Sequence, residues 1–94
     1  MFNYEKSIPS PHHFAAARVL SAAVHEFDVE LDKRTRAAWR EFEMACAELP
    51  QDKRAYEAGW KTAYQRRADR TSEAYEHHDL QCADAFATFR ESVS

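Results

Sequence analysis

From His12 to Leu49 the chain contains neither glycine nor proline, and beyond the break at Leu49-Pro50-Gln51-Asp52 the only further such residue is Gly59. Alanine recurs through both stretches, while valine, isoleucine and threonine never form the alternating runs that a strand requires. Two uninterrupted helices folded back on each other at Pro50 satisfy this pattern. The expected fold is therefore all-α: a long antiparallel two-helix hairpin.

The helix starts are marked chemically. Ser10 is a good N-cap and Pro11 suits the first helical position, where its missing N–H would have no partner in any case. Asp52 offers a cap for the second helix just after the Pro50 break. Each helix is then expected to hold about 38 to 40 residues and to run roughly 57 to 60 Å. Residues 1–10, with Phe2, Tyr4 and Ile8, form the expected N-terminal arm, and residues 11–94 a single helical hairpin domain.

An apolar stripe on the first helix passes through Leu20, Val24, Phe27, Leu31, Thr35, Ala38 and Phe42. Leu20, Leu31 and Phe42 are spaced by eleven residues, which suits nearly straight helices rather than a heptad coiled coil. The second helix repeats the spacing through Trp60, Tyr64, Arg67, Thr71, Tyr75, His78 and Cys82. Folding at the turn sets Phe42 by Trp60, Ala38 by Tyr64, Phe27 by Tyr75 and Leu20 by Cys82. The resulting core is aromatic near the turn, polar at the waist (Thr35, Arg67, Thr71) and apolar again at Phe14, Phe86 and Phe89. Two helices bury only one stripe each, worth roughly 3 to 5 kcal/mol. Self-association is thus expected, most simply a homodimer completing a four-helix bundle. The competing arrangement breaks both helices near Asp32–Thr35 and Asp69–Ser72 to make a compact monomer; no Gly or Pro marks those places.

Composition narrows the function. The net charge is only −3, so neither a generally nucleic-acid-coating nor a polyacidic chain is indicated. No segment is apolar enough to cross a membrane, and the first residues lack a secretory pattern, so no membrane association and a cytoplasmic location are expected. Cys46 and Cys82 have no CxxC or ligand-like spacing and read as small buried hydrophobes. There is no GxSxG and no glycine-rich phosphate loop, and a helical hairpin offers no deep pocket in which to shift carboxylate pKa values. Neither catalysis nor a cofactor is expected.

The most distinctive feature is a basic band at the waist. Lys33, Arg34, Arg36 and Arg40 on one helix fall level with Lys61, Arg66, Arg67 and Arg70 on the other, eight of thirteen cations. Such a band suits a protein partner or an anion, with RNA or DNA as the alternative ligand. Weighed against both is simple solvation: Glu30 with Arg34, Asp32 with Arg36 and Glu57 with Lys61 are acid-first i, i+4 pairs. Acidic bands flank the waist at Glu26–Asp32 and Asp69–Asp79 and could set the register of a homodimer. His25, His77 and His78, with Asp28 and Glu73, form a polar layer expected to respond to pH rather than to hold a metal, since no HExxH or paired E-x-x-H pattern is present. Gly59 costs its helix ~1 kcal/mol and is expected to admit close packing by Met44 or a second subunit. The function expected from these features is non-catalytic: protein–protein interaction, as an adaptor, assembly factor or small inhibitor.

Overall fold

In a computed structural model that describes residues 10–94, the chain is two helices: α1 (Pro11–Ala47) and α2 (Lys53–Val93). The expected N-terminal arm, Met1 to Pro9, lies outside the described residues. Both caps form as the sequence implies. The Ser10 hydroxyl accepts from the His13 amide at 3.2 Å, and the Asp52 carboxylate accepts from the Ala55 amide at 3.0 Å. At the turn, the Glu48 amide donates to Ala45 and the Leu49 amide to Cys46, which tightens the last turn of α1 before Pro50 ends it. Neither helix breaks at the waist; Thr35 donates its hydroxyl back to the Asp32 carbonyl at 3.0 Å while the helix continues. The compact alternative is thereby set aside. The Cα radius of gyration is 21.6 Å, against ~12 Å for a compact domain of this length. Among the described residues no helix is long and apolar enough to cross a membrane.

On α1 every residue of the expected stripe turns inward, from Leu20 to Phe42, with Ala38 only 2% exposed. On α2 the stripe needs a correction. Arg67, Thr71, His78 and Cys82 do face α1, but Trp60, Tyr64 and Tyr75 stay 40 to 51% exposed, and the inward places belong to Gly59, Ala63 and Ala74. The reason is steric. Among the described residues only Ala38, Ala63 and Ala74 are buried, so α2 meets the larger side chains of α1 through a line of small ones. Large rings do not fit on that line and roll to its flank.

The register also follows from side-chain direction. Phe42 meets Trp60 with ring centroids 6.0 Å apart, as the turn implies, but also Tyr64 at 6.4 Å. Farther out, Asp28 reaches His78 and Val93 is met by His13, each a turn beyond the simple fold-back pairing. Helical side chains lean toward their own N-termini, and in an antiparallel pair these leans point in opposite directions, so contacts are staggered by up to a turn. At the open end, His13 bonds the Val93 carbonyl at 3.3 Å and His12 bonds that of Ser92. These rings satisfy carbonyls that the end of α2 leaves without helical partners.

Candidate functional site

Near the turn, the rings displaced from the seam form an ordered group. Trp60 stacks on Tyr64 with centroids 5.2 Å apart and 14° between planes, Phe42 sits edge-on to both, and Trp39 lies 5.8 Å from Phe42. Arg67 fills the remaining side. Its guanidinium carbon is 4.7 Å from the Trp39 ring centroid, 5.2 Å from Phe42 and 5.3 Å from Tyr64. The Arg67 Nε is buried with no acceptor, so the three π-faces stand where a carboxylate would otherwise be needed. The polar waist thus holds a cation resting on aromatic faces. Its sequence signal was Arg67 interrupting an otherwise apolar line one turn after Tyr64.

The structure places the basic band on two opposite sides of the hairpin. Arg36 and Arg40 border a shallow recess with Trp39, and Lys61 borders another with Tyr56 and Trp60, all on the aromatic side. Arg66 and Arg70 stand on the other side, along a groove of about 610 Å³ floored by Ala38, Ala45 and Gly59 and edged by Met44. By helical period Arg34, seven residues before Glu41, falls on this groove side, while Lys33, seven before Arg40, stands on the outer face of α1 between the two sides. Arg67 lies in the seam between. Several of these cations carry their own counter-charges: Arg34 with Glu30 at 3.1 Å, Arg36 with Asp32 at 3.0 Å, and Arg70 with Glu41 across the hairpin. Lys33, Arg40, Lys61 and Arg66 form no ion pair among the described residues.

Gly59 packs against Leu49 rather than Met44. A methyl group at position 59 would meet the Leu49 side chain, whose Cγ lies 3.7 Å away. The single glycine therefore seats the last residue before the turn. Met44, 66% exposed, is left over the groove.

Midway to the open end, His78 is the centre of the polar layer. Its Nε2 is 2.6 Å from Asp28 and its Nδ1 3.4 Å from Asp79, while the Cys82 sulfur lies 3.6 Å from Nε2. The bond to Asp28 holds the imidazole above its usual 6.5, against a smaller opposing effect of burial. Burial, and then the Asp28 and Asp79 charges, push the Cys82 thiol up. Kept protonated, this thiol is a poor nucleophile despite its histidine neighbour. His25 and His77 are exposed. Among the described residues no group of three or more His, Cys, Asp or Glu side chains could hold a metal ion.

No protein family, curated protein or solved structure matches this chain. The reading of its function rests on these surfaces.

Proposed function

We propose that the protein is a non-catalytic protein–protein interaction module: a helical hairpin that pairs with a second copy to complete a four-helix bundle and presents its basic groove to an acidic protein surface. One observation carries this reading. Phe14, Trp39, Trp60, Tyr64, Tyr75 and Phe86 are each 40 to 55% exposed along a hairpin whose buried core is three alanines. Large aromatic side chains contribute most when buried, and a chain that leaves so many half-covered is built to bury them against something else.

The groove supplies the second element of the proposal. Arg66, without an ion pair among the described residues, and Arg70, held by Glu41 on the same groove, rise beside Met44 and Ala45, so a ligand with an apolar ridge and a carboxylate placed for Arg66 would satisfy the groove. A nucleic-acid ligand is less favoured because Arg34, Arg36 and Arg70 are already paired with carboxylates, which reduces the charge left for phosphates.

The test is capture of partners by the tagged protein, with and without nuclease, comparing wild type with an Arg66→Glu/Arg70→Glu variant. A protein retained by wild type, lost in the variant and indifferent to nuclease is the expected result. Nuclease-sensitive retention would transfer the groove to nucleic acid, and identical captures by both chains would remove it as a binding surface.

A further inference from the structure

The seven exposed aromatics among the described residues, Tyr56 beside Trp60 included, lie on one side of the hairpin. On α2, Tyr64, Tyr75 and Phe86 are spaced by eleven residues, which returns a helix to nearly the same direction, and Trp60 stacks on Tyr64. On α1, Trp39 is in contact with that group through Phe42. Phe14 borders a recess with Phe89 and Val93, and Phe86 lies one turn before Phe89 and Arg90. The opposite side at that end is lined by Ala15, Ala16, Val19 and Thr88.

Charge along this aromatic side is not uniform. Toward the turn it carries Arg36, Arg40 and Lys61 against the single carboxylate of Glu57; beyond the level of Asp32 and Glu73 it carries Asp28 and Asp79, the two carboxylates on His78, against the single cation of Arg90. Two copies stacked with both hairpins pointing the same way would set α1 of one on α2 of the other at equal height. Cations would then meet cations, and Asp28 would meet Asp79. Stacked head to tail, α1 lies on α1 and α2 on α2, and the halves complement each other.

Resting on the dimer reading, we infer that the aromatic side is the surface that receives the second copy, in an antiparallel arrangement whose twofold axis crosses at the level of Asp32 and Glu73. In that register Arg36 of one copy reaches Asp28 of the other. Trp60 comes level with Phe86, Glu57 with Arg90, and the two Tyr75 rings flank the axis. The α1 and α2 pairings arrive at the same height independently, because the contacts of Asp28 with His78 and of Arg67 with Trp39 already set that level within one hairpin. A side about 60 Å long, for a helix of 41 residues, and 20 Å wide offers roughly 1,200 Å² per copy. A standard stable interface uses about 800 Å² per partner.

Disulfide trapping tests this in the full chain. With Cys46 and Cys82 replaced by alanine, a single cysteine is placed at Ser72, exposed and one turn before Tyr75, or at Lys61, exposed beside Trp60. Both sites are on the surface and leave folding intact. Light scattering at micromolar concentration should give twice the chain mass for both. On mild oxidation Ser72→Cys should cross-link nearly completely, because it lies close to the axis, while Lys61→Cys should not, because the two copies of that site are roughly 36 Å apart at 1.5 Å per residue. Equal or preferential cross-linking of Lys61→Cys would overturn the antiparallel register and leave a dimer standing. A dimer in which neither site cross-links would place the interface on another surface. A single-chain mass would overturn both the register and the dimer proposal it rests on.

Discussion

The turn end and the open end of this hairpin are held by different physics. At the turn end, Trp39, Phe42, Trp60 and Tyr64 pack in fixed geometries around Arg67, Leu49 seats on Gly59, and the connection is covalent. At the open end no such ring cluster forms among the described residues: Leu20, Ala23, Ala85 and Phe89 line the seam, Phe14 is 55% exposed, and closure relies on two histidines bonded to the last carbonyls of α2. Stability should therefore be graded along the long axis, highest at the turn and lowest where the helix ends are free to fray.

The largest expected effect is at Phe42, whose ring touches those of Trp39, Trp60 and Tyr64. Phe42→Ala should cost about 3 kcal/mol, the low end for a phenylalanine truncation because the ring is only half-buried. Phe89→Ala at the open end should cost less and act locally. Hydrogen exchange is the discriminating measurement: loss of protection confined to the last turns of α2 is expected for Phe89→Ala, and loss throughout for Phe42→Ala. Equal global losses would break the comparison.

Next in size is Arg67. Arg67→Ala removes a cation from three ring faces and the packing of its stem, for an expected cost of about 2 kcal/mol in denaturant melts at one protein concentration. Arg67→Met is the sharper variant, since it fills the same space without the unpaired Nε. It should recover most of the loss if the site values packing over charge. A methionine variant as weak as alanine would show that the guanidinium itself holds the rings.

These expectations depend unequally on what sequence could reveal. The helix starts were legible because Ser10 and Asp52 act within three residues of themselves, and α1's inward line was legible because leucine, valine and phenylalanine stand on it. On α2 the period fits a line through Trp60, Tyr64 and Tyr75 as well as one through Gly59, Ala63 and Ala74, and hydrophobicity favours the wrong one. Only the closeness of the two backbones decides between them. The basic band shows the same limit: sequence sets the height of a residue along a helix more firmly than its direction around it. Arg36 and Arg66 share a height and stand on opposite sides. The pairing of His78 with Asp28, in place of His25 opposite His77, came from the side-chain lean that a fold-back diagram omits.

His78 marks the boundary between the two ends and should make the open half pH-sensitive. Its folded pKa is raised above 6.5 mainly by the Asp28 bond, so the stabilisation it adds is complete below pH 6.5 and is lost as pH rises through the folded value. Melts across the range from about pH 6 to about pH 9 should lose stability upward, and His78→Asn should flatten that slope. An unchanged slope would assign it to other groups and leave the polar layer as a spacer.

The smallest effect tests how rigid the turn end is. Gly59→Ala gains helix propensity worth ~1 kcal/mol. The new methyl group meets the tip of the Leu49 side chain, which is flexible and only half-buried, so it can swing aside. The gain should then exceed the repacking cost, for a net stabilisation below ~1 kcal/mol. If thermal melting shows a loss instead, Leu49 is locked in its seat, and the turn end owes part of its advantage over the open end to that one contact as well as to its aromatic rings.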